Sequence, residues 1–371
     1  MPGSRTPSAE RLDRAQRAVA EAEWGALLVS AGTDLRYLTG YDAHPSERLT
    51  CLVVPAQGAP VLVVPELEAP IVAAAEVTTQ LRPWSETENP FAVVADHLRQ
   101  IGSPGTVGIG NRMWAEHALQ LGSATEAKLE LSGPLMAQLR MRKDSVECAA
   151  LHEAGQAIDR VHARMAEWLR PGRTERAVGR DIAEAIVAEG HERSEFTIVG
   201  SGPNGASPHH LLSDRVIETG DVVVVDIGGI TRAGYYSDST RTYLAGGRAA
   251  PEVLDFYAVL QAAQDAACRV IRPGVRAEEV DATARAIIDQ AGYGANFIHR
   301  TGHGIGLDVH EDPYIVSGNQ MPLEPGMAFS VEPGIYVKNR YGARIEDIVI
   351  CTTDGVSRLN TGNRDLVTLE A

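Results

Sequence analysis

An internal duplication limits the possible folds of this sequence more than any other feature. Two stretches share an Arg-Pro-Gly turn between helical patterns, WLRPGRTERAVGRDIAEAIVAEG and VIRPGVRAEEVDATARAIIDQAG, and Pro273 follows Pro171 by 102 residues. Further on, ETGDVVVVDIGG is similar to EPGMAFSVEPGI, with Gly326 lying 106 residues after Gly220. The repeat predicts two copies of one unit, each running helix, helix, strand, strand. The second part of the chain is therefore predicted to be pseudo-symmetric.

The duplication places acidic residues at similar positions in the two copies. Asp226 ends the apolar strand of the first copy, and Glu332 ends that of the second copy, 106 residues later. The next strand of each copy carries another acid, Asp238 in GYYSDSTRT and Glu346 in ARIEDIVI, 108 residues apart. Four carboxylates are therefore predicted to share one pseudo-twofold arrangement.

These carboxylates need positive charge beside them, because an ionised acid buried without a partner is costly. Arg344 lies two residues before Glu346, on the same face of a strand, and one interpretation makes it the partner of that acid. One arginine cannot neutralise four acids, however. A pair of divalent cations is the more economical hypothesis.

A Gly-rich segment offers an imidazole ligand. His299, His303 and His310 lie close together in HRTGHGIGLDVHEDP, and the glycines permit close backbone approach. Carboxylates with one imidazole form a hard site that suits manganese, cobalt or zinc and disfavours copper or an iron–sulfur cluster. Two such ions about 3.5–4 Å apart can acidify a water molecule and orient it towards a carbonyl. The constellation predicts a hydrolase.

Composition argues against several other functions. The 371 residues include 34 Lys and Arg against 49 Asp and Glu, and the net charge of -15 argues against nucleic acid or an anionic membrane as a partner. No apolar run approaches the ~20 residues of a membrane helix. The N-terminal stretch MPGSRTPSAERLDRAQRAVA lacks the apolar segment of a secretory signal, and the four cysteines form no CxxC pair. We expect a cytoplasmic protein.

The chain is predicted to have two domains. In the first 140 or so residues, short β-rich runs alternate with helical stretches, and TCLVVPAQGAPVLVVPELE predicts a hairpin over residues 57–58. A long helix is then predicted to begin near Asp144 or Ser145 and to end at Pro171-Gly172. We place the domains at residues 1–142 and 143–371 and expect an α/β (α+β) fold.

Five motifs carry a resemblance to a known family. VVVVDIGG, YYSDSTRT, HRTGHGIGLDVHE, FSVEPGIY and RIED, in this order and spacing, resemble the pita-bread metallopeptidases, which include Xaa-Pro dipeptidase (prolidase), aminopeptidase P and methionine aminopeptidase. The resemblance covers residues 143–371, and residues 1–142 resemble the creatinase and prolidase N-terminal domain. It implies a curved antiparallel sheet covered by helices, a smaller α/β domain and a homodimer.

The resemblance also implies roles for particular residues. The implied ligands of two metal ions are Asp226, Asp238, His303, Glu332 and Glu346. Asp238 and Glu346 would bridge both ions, and Glu332 would also act as the catalytic acid and base. Manganese is the expected ion, with cobalt or zinc as alternatives.

Further residues resemble family positions that meet the substrate. His209 and His310 are implied to contact the substrate and the developing gem-diolate, which makes them catalytic as well as substrate-binding. His299 and Arg344 resemble positions that line the proline pocket and steady the site. Because PNGASPHH has two adjacent histidines, His210 is an alternative to His209, which the family alignment favours.

The function implied is hydrolysis of the peptide bond before proline, in peptides with proline at the second position. Xaa-Pro dipeptidase is preferred, because the first domain is compact and the length resembles that of the shorter prolidases. Aminopeptidase P is the alternative. A metal-free creatinase-like hydrolase or lyase and an inert peptidase-like binding module are less favoured, because all five ligand positions are kept.

Overall fold

The chain divides into two compact units. The computed structural model describes residues 7–75, 77–102 and 105–369. One unit ends at Arg140 and the other begins at Met141. The sequence-based boundary lies after residue 142, and the ends of the predicted domains, residues 1–6 and 370–371, lie outside the described part.

Strands and helices alternate in the first unit. Its strands are β1 (Ala26–Ser30), β2 (Cys51–Pro55), β3 (Val61–Pro65), β4 (Gln80–Trp84), β5 (Thr106–Ile109) and β6 (Lys128–Leu131). Its helices are α1 (Pro7–Glu21), α2 (Thr33–Thr39), α3 (Ala69–Ala74), α4 (Pro90–Gln100), α5 (Ala115–Thr125) and α6 (Gly133–Arg140). The strands form a mixed sheet in the order β4-β3-β2-β1-β5-β6.

The predicted hairpin of the first unit is present. Strands β2 and β3 pair antiparallel, with Cys51 opposite Val63, and both strands are buried along their length. Helix α4 begins where the Asn89 side chain accepts hydrogen bonds from the first-turn amides. Its Val94 and Leu98 pack into the same apolar core as the sheet.

The second unit contains the duplicated segments. Its helices are α7 (Ser145–Ala163), α8 (Glu175–Ala188), α9 (Pro251–Val270) and α10 (Ala277–Gln290). Its strands are β7 (His191–Ser201), β8 (Asp221–Thr231), β9 (Ser239–Ala245), β10 (Gly302–Gly304), β11 (Glu311–Ile315), β12 (Ala328–Val331), β13 (Gly334–Val337), β14 (Tyr341–Arg344), β15 (Asp347–Cys351), β16 (Val356–Arg358) and β17 (Val367–Leu369). The α/β class predicted from the sequence is present in both units.

The strands of the second unit form two larger sheets and a hairpin. One sheet has the order β17-β9-β8-β7, the other β11-β10-β12-β15-β16, and β13 pairs with β14. All these pairs are antiparallel except β17 with β9. Helices α7 and α8 cover β8 through an apolar cluster that includes Ile158, Ile182 and Val225.

The internal symmetry extends to single hydrogen bonds. Gly172 and Gly274 both have a φ of 87°, a left-handed conformation that favours glycine. The Gly172 amide donates to the Ile217 carbonyl, and the Gly274 amide donates to the Leu323 carbonyl, each at 2.9 Å. The two Arg-Pro-Gly turns are therefore the same structure in each copy.

The sheet ladders show the same repeat. Val225 lies opposite Arg241 in the β8–β9 pair, and Val331 lies opposite Asp347 in the β12–β15 pair. Both members of the second pair follow those of the first by 106 residues. At that offset Glu346 corresponds to Thr240, so the spacing of 108 residues between Asp238 and Glu346 is two residues out of the ladder register.

The long helix is shorter than the sequence predicts. Its start is confirmed: the Asp144 side chain accepts from the Glu147 amide, and the Glu147 side chain accepts from the Asp144 amide. The prediction of an end at Pro171-Gly172 is wrong, because α7 ends at Ala163 and a short 3-10 turn follows at Met165–Glu167. The helical pattern of apolar residues in the sequence extends past the end of the helix, because Met165 and Leu169 are also buried.

Two further predictions concern the whole chain. All four cysteines are free thiols, as the absence of CxxC pairs suggests. Within the described ranges, no helix combines the length and the apolar character that crossing a membrane requires.

Candidate metal centre

The four acids identified in the sequence lie where strands of the second unit meet. Asp226 is in β8, and Asp238 directly precedes β9. Glu332 directly follows β12, and Glu346 lies between β14 and β15. Together with the imidazole of the Gly-rich segment, they line one cavity of about 720 Å³.

The side chains predicted to hold metal come close together. Asp238, His303 and Glu346 each present a ligand atom within 4.8 Å of the other two, and all three are buried. His303 Nε2 lies 3.6 Å from Asp238 Oδ2 and 3.2 Å from Glu332 Oε1. The structure thus places all five predicted ligands around one cavity.

The orientation of His303 suits metal binding. Its Nδ1 lies 3.1 Å from the Gly304 carbonyl oxygen, which can only accept, so this nitrogen carries the proton. Nε2 then has a free lone pair directed at the acids, the usual arrangement of a metal-binding histidine. Ser330 holds this geometry, because its hydroxyl accepts from the His303 amide at 3.0 Å and donates to Glu332 Oε1 at 3.0 Å.

Arg344 pairs with a different acid from the one suggested by the sequence. Its Nη2 lies 2.5 Å from Asp226 Oδ2, whereas the sequence-based interpretation made Glu346 its partner. Its Nε donates to the Thr240 hydroxyl at 3.1 Å, and that hydroxyl donates to Glu346 Oε2 at 2.7 Å. Thr240 therefore links Arg344 to Glu346 through hydrogen bonds.

Two carboxylate oxygens at this site have surroundings that a cation would suit. Asp226 Oδ1 and Glu346 Oε1 are buried and have no hydrogen-bond partner among the described residues. Buried polar atoms are normally hydrogen-bonded, so each such oxygen requires an explanation. Four carboxylates and one neutral imidazole match the ligands of hard divalent ions. The residues present therefore fit a metal site.

The pKa values of the acids and of His303 are shifted, mainly by burial. Burial raises the pKa of Asp238 and of Glu346 well above the usual range, and the neighbouring acids raise both further. Burial likewise raises the pKa of Glu332 to about 7, against the opposing effect of Arg344. Burial and the neighbouring His310 lower the pKa of His303 to about 3, so the ring is neutral. Divalent cations would displace the protons held by these acids.

The predicted substrate residues also line the cavity. His209, His299, His310 and Arg344 all face it. The rings of His303 and His310 meet edge to face, with their centroids 4.1 Å apart. Burial, followed by the charge of Arg344, lowers the pKa of His299 to about 4.

The adjacent histidines of the SPHH motif have different surroundings. His209 is exposed at the cavity wall, whereas His210 donates from Nε2 to Glu175 Oε2 at 2.7 Å. Glu175 is fully buried and also accepts from Ser201 and Ser213. Burial alone would raise the pKa of Glu175, but these hydrogen bonds more than offset it and the pKa lies below its usual value.

Some residues at the site were not identified from the sequence. Thr240 and Ser330 orient predicted ligands through hydrogen bonds that no sequence pattern reveals. Tyr336 is buried, and its hydroxyl lies 2.9 Å from His299 Nε2 and 2.6 Å from Arg344 Nη1. Arg300, which lies next to His299, also lines the cavity.

Two family models match parts of the chain. The family described as "Metallopeptidase family M24" matches residues 149–353, and the "Creatinase/Prolidase N-terminal domain" matches residues 11–142. The chain is 50% identical over 362 residues to the "Probable dipeptidase PepE" of Mycobacterium bovis, covering 97% of this chain and 96% of the relative.

Two further relatives extend the comparison. The chain is 34% identical over 370 residues to the "Xaa-Pro dipeptidase" of Lactobacillus delbrueckii subsp. lactis, covering 96% of this chain and 98% of the relative. A crystal structure of recombinant prolidase from Thermococcus sibiricus matches with a TM-score of 0.92 and 37% identity, covering 99% of this chain and 100% of that chain.

Proposed function

The chain belongs to metallopeptidase family M24, and we propose that it hydrolyses Xaa-Pro dipeptides with the help of two divalent metal ions. Membership confirms the predicted family, the α/β fold with a pita-bread second domain, and the prediction of a metal-dependent peptidase. The number and identity of the ions, the roles of single residues and the choice of dipeptides are the proposal.

One observation carries the proposal. Two buried carboxylate oxygens without partners, one on Asp226 and one on Glu346, face the cavity that also contains Asp238, His303 and Glu332. Asp226 is not in the group of close ligand atoms formed by Asp238, His303 and Glu346, so one cation held by that group would leave the Asp226 oxygen without a partner. We therefore propose that the five side chains would together hold two ions. When bound, such ions polarise a carbonyl and lower the pKa of water.

Glu332 is the residue suited to proton transfer. Its carboxyl is held by the Ser330 hydroxyl at one oxygen, and the Arg344 guanidinium lies 4.0 Å from the other. Without metal ions beside it, burial raises the pKa of this carboxyl to about 7. In the proposal Glu332 accepts a proton from the attacking water and delivers it to the leaving proline nitrogen.

His209 and His310 are the hydrogen-bond donors of the proposal. Both line the cavity, and burial together with the Arg300 charge lowers the pKa of His310, which keeps its ring neutral near neutral pH. A neutral imidazole N–H can donate to an oxygen that becomes negative as the carbonyl is attacked. His299 is assigned to the wall of the proline pocket, and Arg344 to holding Asp226.

The proposal that the substrates are dipeptides rests on the similar proteins. The most similar named relatives given above are dipeptidases, and 97% of this chain aligns with one of them. Aminopeptidase P activity, metal-free creatinase-like chemistry and an inert binding role are the outcomes that the experiment must separate.

A metal-reconstitution assay tests the function. The enzyme is treated with a chelator and dialysed, and manganese, cobalt or zinc is restored separately. Ala-Pro and Ala-Pro-Ala are then supplied as substrates, with Ala-Ala as the control for proline specificity. We expect activity to disappear with the chelator, to return best with manganese, and to favour Ala-Pro.

Each other result selects a different function. Cleavage of Ala-Pro-Ala without cleavage of Ala-Pro would identify an aminopeptidase P and would overturn the dipeptidase assignment alone. Full activity after verified metal removal would support the creatinase-like alternative. Absence of hydrolysis with every metal and peptide would support a binding protein.

We also propose a homodimer in solution. Light scattering coupled to size exclusion measures the molar mass directly, and a dimer would give twice the 39.7 kDa of the chain. A mass equal to that of one chain at working concentration would overturn this part of the proposal.

A further inference from the structure

The cavity is lined by two arginines with different surroundings. The guanidinium of Arg344 is occupied, because its nitrogens contact Tyr336, Thr240 and Asp226. Arg300 also lines the cavity, and its side chain has neither a hydrogen bond nor an ion pair with any residue in the described part of the chain. Its five N–H donors are therefore available to a ligand.

Arg300 is held in place without using its donors. Its guanidinium lies over the ring of Tyr314, 4.4 Å from the centroid. This stacking occupies the face of the guanidinium and leaves the N–H groups at its edge free. The Arg300 side chain is only partly exposed. The arrangement resembles a prepared anion contact rather than a freely moving surface arginine.

The backbone that carries Arg300 is also fixed. Arg285 donates to the carbonyls of Phe297 and His299, at 3.0 and 2.9 Å. The buried Asp281 accepts from the amide and the hydroxyl of Thr301, at 3.1 and 2.7 Å. Hydrogen bonds on both sides of Arg300 therefore hold its main chain, which lowers the entropy cost of binding a ligand there.

The remaining charges of the cavity make an unpaired arginine significant. Besides the four acids of the metal centre, Glu195 lines the cavity, and the lining residues include no lysine. A substrate with a free carboxylate needs a cation beside it in this cavity, and Arg344, the other arginine of the lining, is already paired with Asp226. Arg300 is close enough to the catalytic groups for its charge to lower the pKa of His310, after the larger effect of burial.

We propose that Arg300 binds the C-terminal carboxylate of the substrate and thereby selects dipeptides over longer or blocked peptides. A guanidinium can grip a carboxylate through two parallel hydrogen bonds, which a peptide bond or an amide cannot reproduce. Arg300 is then a specificity-determining residue. This inference rests on the proposed function, since it concerns how the same site recognises its Xaa-Pro substrate.

The test compares an acid with its amide. The metal-loaded wild-type enzyme and the variants Arg300→Gln and Arg300→Lys are assayed with Ala-Pro and with Ala-Pro amide. Arg340→Gln is the matched control, because Arg340 is an exposed arginine of the same unit that pairs with the exposed Glu252. Metal content and thermal melting are measured for every variant.

The expected result is a change in the ratio of kcat/KM for Ala-Pro to kcat/KM for Ala-Pro amide. In Arg300→Gln, kcat/KM for Ala-Pro should fall relative to Ala-Pro amide by about 10- to 100-fold, the factor expected for a lost charged hydrogen bond. The loss should appear mainly in KM. Arg300→Lys should recover part of the preference, because it restores the charge but not the fork, and Arg340→Gln should keep the wild-type ratio.

Other results overturn the inference in recognisable ways. An equal loss on the acid and the amide would make Arg300 a structural residue, and an unchanged ratio would place the carboxylate elsewhere. If the wild-type enzyme, loaded with metal, cleaves neither Ala-Pro nor its amide, the proposed function itself fails. Misfolding of Arg300→Gln would show in the melting curve, and Arg300→Lys would then decide the question.

Discussion

Neighbouring side chains at this site have separate tasks, and His209 and His210 are the clearest example. His209 faces the cavity, whereas His210 is hydrogen-bonded to the buried Glu175. The two residues lie at a turn, in which the His210 amide donates to the Ser207 carbonyl at 3.2 Å. Sequence inspection narrows the choice to two residues, but the partner that captures His210 comes from the first turn of a distant helix.

The two histidines should therefore respond differently to replacement. His209→Ala should lower kcat by about 10²- to 10³-fold, the usual effect of removing one oxyanion donor, with little change in the melting temperature. His210→Ala should lower the free energy of unfolding by about 2 kcal/mol, because a charged hydrogen bond to a buried acid is lost. Steady-state kinetics and urea denaturation measure the two effects. The reverse pattern would place His210 at the site.

His162 makes folding sensitive to acid. It is buried, its ring nitrogens lie 2.9 Å from the Tyr243 hydroxyl and 3.2 Å from the Ser239 carbonyl oxygen, and burial followed by the Arg241 charge lowers its pKa from 6.5 to about 3. The unfolded chain binds a proton at this residue more readily than the folded chain. The stabilisation is therefore complete above pH 6.5 and is lost as the pH falls towards 3.

Replacing His162 should remove this contribution. At pH 5 the buried His162 should lower the free energy of unfolding of the wild-type protein by about 2 kcal/mol relative to neutral pH. In His162→Gln, the difference in the free energy of unfolding between pH 7.5 and pH 5 should shrink by that amount, whatever the variant's stability at either pH. Urea denaturation of the metal-free proteins at both pH values measures this difference. An unchanged difference would mean that His162 is already charged in the folded protein.

At the scale of elements, close strand packing places the imidazole ligand. Strand β10 contains Gly302 and Gly304, and a Cβ at Gly302 would overlap the Ser330 carbonyl of β12. The absence of a side chain lets β10 approach β12 so that the Ser330 hydroxyl reaches the His303 amide. The glycines in HRTGHG led us to expect close backbone approach, and at this strand pair the expectation is met.

Adding one methyl group should disturb that contact. Gly302→Ala should cost about 1–3 kcal/mol of stability, as overpacking of a buried position does, and should weaken metal binding by moving His303. Gly110→Ala is the matched control, because a Cβ there has only the Leu28 carbonyl oxygen nearby, at 4.0 Å. Thermal melting and metal titration follow both effects. Wild-type metal affinity in a folded Gly302→Ala would contradict this role for the strand contact.

At the scale of the whole molecule, the duplication explains which features the sequence predicts. Asp226 and Glu332 could be found because equivalent strands keep the 106-residue offset that the glycines mark. One strand later the same offset does not pair two acids. Glu346 lies 106 residues after Thr240, and the Thr240 hydroxyl donates a hydrogen bond to it. Such contacts join segments far apart in the chain and depend on tertiary packing. The early end of α7 and the partner of Arg344 could not be predicted for the same reason.

Each chain is proposed to bind two metal ions at the four acids and His303, and counting the bound ions tests this most directly. Chelated protein is dialysed against manganese at pH 8 and at pH 6, and the bound metal is measured by mass spectrometry. We predict two ions per chain at pH 8 and weaker binding at pH 6, because protons occupy acids whose pKa values are raised. Asp238→Asn should lose ions, whereas Glu324→Gln, which alters an exposed acid paired with Arg142, should not. Wild-type protein that binds no ion yet cleaves Ala-Pro, or Asp238→Asn that still binds two ions, would contradict the account.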